Sequence, residues 1–260
     1  MTQKPTILVT GPTGGIGATL CQHLAGKGYN LILAARNKDR LAETVSSLSH
    51  SYPKQVFKSL ALDFSDLTSI TSAFTSLKSQ NVTLNGLVVM PPQIPPTDNC
   101  LPDAQAWEPI WRHSFVGPLE VIKQCVEIFS MQGRSKIVIV SGISSAQVLG
   151  HYATSNVLRL SWLAEAKTLA FALGPRGIHV NTLSLGGVMT EKYKARIEQK
   201  AKDLGVSLVQ QMESEVSNVP LRKYAEPREV AVAVEGLLSE FSDHITGMNI
   251  LCDGGFTRAY

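Results

Sequence analysis

Three groups of residues in this chain have types and spacings that could do chemistry. The first is Gly11-Pro12-Thr13-Gly14-Gly15-Ile16-Gly17, which follows the apolar run Ile7-Leu8-Val9 and precedes a helical pattern. Glycines in a strand-to-helix turn let the backbone approach a pyrophosphate, and the helix N-terminus offers free N–H groups and a positive dipole. The second is Arg36, directly after the second apolar run. A carboxylate there would accept from the ribose 2′-hydroxyl of NAD, whereas a guanidinium can pair with a 2′-phosphate, so the reading is NADP(H). The third is Tyr152, Ser155 and Arg159. Seven helical residues at about 100° each return to within roughly 20° of the starting face, with the i+3 position between them. All three side chains could line one wall of a site.

Such residues need a scaffold, and short β-branched runs alternating with longer helical patterns predict βαβ units. Strands are expected at 6–10, 30–35, 56–63, 86–90, 136–141, 179–184 and 249–252. Helices are expected at 16–27, 38–49, 67–78, 104–131, 152–173 and 227–240. The implied fold is α/β and doubly wound, a seven-stranded, mostly parallel sheet with helices on both faces. One domain spans 1–260, with a charged helical flap inserted at about 187–220, after a strand's carboxyl end and well placed to cover a ligand.

Composition narrows the function. Hydrophobic residues at 44% and charged residues at 17% suit a large soluble core, and the formal charge of +3 includes no basic run dense enough for nucleic acid. Cys21, Cys100, Cys125 and Cys252 show neither CxxC spacing nor a Cys/His cluster, which predicts reduced thiols and no metal site. With no membrane span and no leader pattern before the first strand, the expected location is the cytoplasm.

Thr10 to Gly17 has the spacing TGxxxGxG, Asn181 to Gly186 is similar to NxxxPG with Leu185 for proline, and Asp253-Gly254-Gly255 forms a DGG turn. In these motifs the chain resembles the short-chain dehydrogenase/reductase family over nearly its whole length. The resemblance implies a Rossmann fold and a small-molecule substrate. It assigns cofactor contacts to Gly11, Thr13, Gly15, Ile16, Gly17, Arg36, Asp63, Phe64, Arg159, Val188 and Thr190. The helices expected at 104–131 and 152–173 resemble those forming the family's subunit contacts, implying a homodimer or homotetramer.

Family members usually work with Asn, Ser, Tyr and Lys: the tyrosine moves a proton, the lysine lowers its pKa, the serine orients a carbonyl and the asparagine maintains a water relay. Ungapped register between 107–117 and 169–181 puts Ser114, Gly142, Ser155 and Arg159 at those positions. The family's NNAG segment becomes Val89-Met90-Pro91-Pro92. Reading Tyr152 as the usual tyrosine would need a deletion and a compensating insertion of three residues each. Tyr152 with Arg159 instead forms Y-x6-R, which resembles the Y-x6-K arrangement of enoyl-thioester reductases, and the proline-rich 91–98 segment resembles reductases of bacilysin-type biosynthesis.

Conjugate reduction asks less of a site than carbonyl reduction, because charge gathers on an enolate oxygen that one or two fixed donors can hold. Tyr152 is the expected donor, Ser155 the second, Arg159 an electrostatic group, and Ser114 completes the expected catalytic set. His113 and His151 are given no role, and Ser141, Ser144 and Ser145 could return a hydroxyl near position 142. A catalytically silent NADP(H)-binding protein and a ketone or 3-oxoacyl reductase with a rebuilt site are the alternatives.

Overall fold

The computed structural model describes residues 5–130 and 134–258. Strands β1 (Thr6–Thr10), β2 (Asn30–Ala35), β3 (Phe57–Ala61), β4 (Gly86–Val89), β5 (Ser135–Gly142), β6 (Ile178–Leu185) and β7 (Asn249–Cys252) form one sheet in the order β3-β2-β1-β4-β5-β6-β7. Every pairing is parallel, so the expected "mostly parallel" sheet is wholly so. The order reverses between β1 and β4, and there the chain leaves both strands on the same edge, opening the crevice in which such sheets bind ligands.

The strands are apolar on both sides because both sides are covered. Leu8, Ile32, Leu87, Ile137 and Val180 point into one core with Phe74 of α3 (Leu67–Ser79), Ile122 of α5 (Gly117–Glu127) and Trp162 of α6 (Ala153–Leu173). Their neighbours Ile7, Leu31, Val88, Val138 and Leu183 point into the other. That core holds Leu24 of α1 (Gly15–Gly26), Leu41 of α2 (Lys38–Ser51) and Val234 of α9 (Pro227–Leu238). Each fully buried Leu or Ile contributes about 1.5–3 kcal/mol relative to exposure.

The helix expected at 104–131 is not continuous. α4 (Ala104–Trp111) passes into a π-helical turn at Arg112–Val116 before α5, which stops at Glu127. Leu84 then pairs with Phe129, and residues 131–133 fall outside those described. Pro109 lies inside α4, and Gly117-Pro118 opens α5, so the backbone is locally re-registered where periodicity alone reads one helix. α6 starts at Ala153, with Tyr152 just before it as its cap.

The flap is two helices, α7 (Glu191–Leu204) and α8 (Leu208–Glu215). Thr190 caps the first, Gly205 ends it in the left-handed region, and Ser207 with Gln210 forms a capping box for the second. Its ends are stitched together: Met189 N donates to Ala225 O at 2.8 Å and Ala225 N to Gly187 O at 3.0 Å. These two bonds close the base of the segment between Thr190 and Tyr224. Among the described residues no helix is long and apolar enough to cross a membrane.

Candidate active site

The glycine-rich turn is shaped by close approach. Gly11 has φ +64°, and a Cβ on Gly17 would lie 2.0 Å from the Gly11 carbonyl oxygen, so α1 starts hard against the turn. Gly14 caps α1 with extended backbone and no side-chain hydrogen bond, leaving the first-turn N–H groups open to an anion. The buried Thr10 hydroxyl accepts from Met90 N at 2.8 Å, tying β1 to β4 beneath the turn. Thr190 reaches over the cradle, its Cγ2 2.9 Å from where a Cβ on Gly15 would stand. A dinucleotide pyrophosphate fits this turn, in which side chains are excluded and backbone donors are free.

At the outer end, Arg36 is exposed after β2, and Asp63 accepts from Ser65 N at 2.8 Å beside the buried Phe64. His113 joins them, its Nδ1 2.9 Å from Ser65 Oγ and its ring edge-on to Phe64. Burial lowers the pKa of His113, nearby Arg36 lowers it further, and Asp63 opposes both. This histidine therefore sits with the β2 and β3 loops and is not among the residues that line the cavity with Tyr152. Arg40, which the sequence did not single out, donates to Thr13 O at 2.6 Å and braces the turn.

A second group of polar side chains lies at the carboxyl ends of β5 and β6. Tyr152, Ser155 and Arg159 line one cavity of about 470 Å³, together with Ile16, Val188 and Thr190. Arg159 Nε donates to Ser155 Oγ at 3.0 Å, and Ser144 Oγ lies 3.3 Å from the same oxygen. The guanidinium covers Gly142: a Cβ there would meet Arg159 Cζ and Nη1 at 2.9 Å. An arginine is longer than a lysine, and the missing side chain at 142 is the room it uses. Burial lowers the Arg159 pKa from its ordinary value, partly offset by Tyr152, yet the group stays charged.

Tyr152 is positioned by two devices invisible in the sequence. Asn156 accepts from Leu149 N at 3.2 Å and donates to Leu149 O at 3.1 Å, closing the turn that carries it. Thr97, from the proline-rich segment, bridges to the backbone on either side: Thr97 N donates to His151 O at 3.0 Å and Ala153 N to Thr97 O at 3.3 Å. His151 points outward to Asp98, both exposed.

Ser114 does not join this group. It is buried in the π-helical turn, away from the cavity lining, and its carbonyl accepts from Trp162 Nε1 at 3.0 Å. The loop after β5 does supply hydroxyls. Ser144 lines the cavity, and so does Ser141, whose buried Oγ has no hydrogen-bond partner among the described residues. Ser145 is turned instead to Ser184 at 2.8 Å.

The opposite wall was missed by sequence reasoning. Tyr193, Val219 and Tyr224 from the flap and Phe256 from the C-terminal turn face the cavity. Glu215 gathers the flap: its carboxylate takes Lys200 Nζ at 2.6 Å and Gln211 Nε2 at 2.8 Å, and its carbonyl takes Tyr224 hydroxyl at 2.8 Å. Burial raises the pKa of both Tyr193 and Tyr224, keeping them neutral. Partial burial would raise the Asp253 pKa, but N–H groups of Thr257 and Gly255 outweigh it and hold the carboxylate ionised while fixing the turn that carries Phe256.

A doubly wound parallel sheet with a glycine cradle at its switch point, and a cavity beside that cradle lined by the tyrosine that caps α6 and by a cation within α6, is the architecture of nucleotide-dependent oxidoreductases. A family model described as enoyl-(acyl carrier protein) reductase matches residues 11–257, and the chain belongs to the short-chain dehydrogenase/reductase family. Among its relatives is the NADPH-dependent reductase BacG of Bacillus subtilis, 25% identical over 258 residues and covering 98% of this chain and 99% of that protein. Another is the (S)-acetoin-forming diacetyl reductase of Staphylococcus epidermidis, 30% identical over 262 residues and covering 96% and 97%. The crystal structure of YwfH, an NADPH-dependent reductase involved in bacilysin biosynthesis, matches with a TM-score of 0.88 at 24% identity, covering 99% of this chain and all of that one.

Proposed function

We propose that the protein is an NADPH-dependent reductase of conjugated carbonyl compounds whose working residues are Tyr152, Ser155 and Arg159. The observation that carries this reading is their convergence on one cavity, with the guanidinium seated over Gly142. The NADPH-dependent relative named BacG supports the cofactor. Gly11, Thr13, Gly15, Ile16 and Gly17 would hold the pyrophosphate, Arg36 the 2′-phosphate, Asp63 and Phe64 the adenine end, and Arg159, Val188 and Thr190 the nicotinamide end. When bound, NADPH supplies the hydride that adds to the β-carbon of the enone.

The protein's own part is to hold the charge that develops on the carbonyl oxygen. Tyr152 donates its hydroxyl to that oxygen, and Ser155, fixed by Arg159 and Ser144, is the second hydroxyl. Arg159 cannot release a proton at working pH and acts by charge alone. A relay through position 114 has no role in this account, because Ser114 is not among the residues that line the cavity. The four family positions thus carry Ser114, Gly142, Ser155 and Arg159, and the α-carbon is protonated from water.

NADPH consumption across enones, enoyl thioesters and saturated ketones tests the reading. Enones are expected to turn over fastest, and Tyr152→Phe to lower kcat by about 10²–10³-fold, the cost of one oxyanion donor, with NADPH affinity unchanged. The diacetyl reductase relative makes carbonyl reduction the competing outcome. Faster turnover of saturated ketones would select it, and tight NADPH binding without any turnover would select a silent binder.

The helices α4 and α6 also bear a groove lined by Trp107, Trp111, Val116 and Val157, with Leu160 exposed beside it. This apolar face supports self-association, and sedimentation is expected to show a dimer or tetramer.

A further inference from the structure

The cavity has two unlike walls. Tyr152, Ser155 and Arg159 make one of them polar, whereas Tyr193, Tyr224 and Phe256 make the other aromatic. The two flap tyrosines carry hydroxyls, yet both are already committed. Tyr193 Oη donates to Glu215 Oε2 at 3.4 Å and Tyr224 Oη to Glu215 O at 2.8 Å, while Glu215 itself is not among the residues that line the cavity. With those protons held behind the wall, what each tyrosine offers a substrate is ring carbon.

Glu215 holds the two rings from outside the cavity. Its Oε1 accepts from Lys200 of α7 at 2.6 Å and from Gln211 of α8 at 2.8 Å, so the carboxylate joins both flap helices. Burial alone would raise its pKa, but Lys200, Gln211 and Tyr193 outweigh that and hold it below the ordinary carboxylate value. It is therefore an ionised acceptor at neutral pH, and hydrogen bonds to an ionised group are the stronger kind. The rings it holds meet edge to face, with centroids 5.5 Å apart and planes at 83°. Tyr224 is also pressed onto bare backbone, since a Cβ on Gly187 would come within 2.4 Å of its Cδ1. Loosening the Glu215 side chain thus frees Tyr193 directly and Tyr224 through its packing partner.

We propose that Glu215 is a positioning residue that sets the substrate range of the cavity: by fixing Tyr193 and Tyr224 it builds an aromatic wall against which the apolar body of a substrate rests while its carbonyl faces Tyr152. This rests on the reading of the cavity as an enone site and assigns that site its second wall. A wall of this kind holds ground state and transition state alike, so its loss reads in KM rather than in kcat.

The test compares benzylideneacetone, which has a phenyl ring to lay on the wall, with methyl vinyl ketone, which has no such body, using the intact protein and NADPH. Benzylacetone, the saturated product of the first, serves as a ligand of the NADP⁺ complex. Glu215→Ala is expected to raise KM for benzylideneacetone about tenfold with kcat within about threefold, and to weaken benzylacetone binding about tenfold. It is expected to leave kcat/KM for methyl vinyl ketone within about twofold, because nothing of that substrate reaches the wall. Glu215→Gln, which still accepts from Tyr193, is expected to recover most of the loss. Adding Tyr193→Phe to Glu215→Ala should cost little more than Glu215→Ala alone, because one residue acts through the other. Equal losses for the two enones, a fall in kcat with KM unchanged, or benzylacetone binding that is absent or the same in the wild type and Glu215→Ala each overturn the proposal. Weaker benzylacetone binding in Glu215→Ala without reduction of either enone by the wild type leaves the wall standing and removes the enone reading. If Glu215→Ala does not fold, Tyr193→Phe decides by the same split between the two enones.

Discussion

The two ends of the crevice are built by opposite means. In the proposed cofactor site at the β1–α1 turn, recognition rests on backbone: Gly11, Gly14 and Gly17 remove side chains, and Gly17 could not carry even a methyl group without displacing Gly11. At the β5–α6 corner it is done by side chains, and the same device serves another purpose, since Gly142 removes a side chain to admit Arg159. The first end has little freedom to vary, because backbone geometry can be kept in few ways. The second can be rebuilt by exchanging two contacting residues, which is how one scaffold can keep its cofactor site and change its chemistry.

The sharpest way to break this contrast is at Gly17. Gly17→Ala puts a Cβ 2.0 Å from the Gly11 oxygen. α1 must then move by about 1 Å, and NADPH affinity measured by fluorescence titration is expected to fall about 10²-fold. An unchanged affinity would mean that the turn is not the cradle. At the other end, Gly142→Ser is expected to cost about 1 kcal/mol of stability or less, because the atoms it meets are the far end of the flexible Arg159 side chain, read as a small fall in the denaturation midpoint. Adding Arg159→Lys should recover most of it, because the two side chains compete for one space. Additive losses would show that they do not. Arg36→Ala is expected to weaken NADPH by about tenfold while leaving NADH within twofold, the signature of a lost charge-assisted contact to a 2′-phosphate.

A smaller effect comes from histidines. Burial lowers the pKa of His23, His113 and His179 in the folded state. Their unfolded values lie near 6.5, so below that pH the unfolded chain binds more protons and stability falls as pH falls. Thermal midpoints are expected to drop by a few degrees between pH 7 and pH 5, and His113→Gln to flatten part of that slope.

How much of this was legible in the sequence follows from where the information lies. β1, β2 and β7 were placed to the residue, because apolar runs ended by glycine or polar residues record a local pattern. The π-helical turn at Arg112–Val116 was not, since one inserted residue hardly disturbs a helical period. Tyr152, Ser155 and Arg159 were legible as a cluster because their spacing is local. The partners that give the cluster its meaning are distant in sequence: Gly142 under the guanidinium, Thr97 and Asn156 around Tyr152, and Tyr193, Tyr224 and Phe256 on the far wall. Ser114 shows the converse, since register alone placed it in the site, whereas in the fold it is buried in the π-helical turn beside Trp162 and is not among the cavity's lining residues.

The central claim is that the corner around Tyr152 and Arg159 directs hydride to carbon in conjugation rather than to a carbonyl carbon. Reduction of an enone with 4-deuterated NADPH, followed by proton and deuterium NMR of the product, tests it directly. The account predicts a saturated ketone with deuterium on the β-carbon and a solvent-derived proton on the α-carbon. An allylic alcohol with deuterium on the carbinol carbon would contradict it.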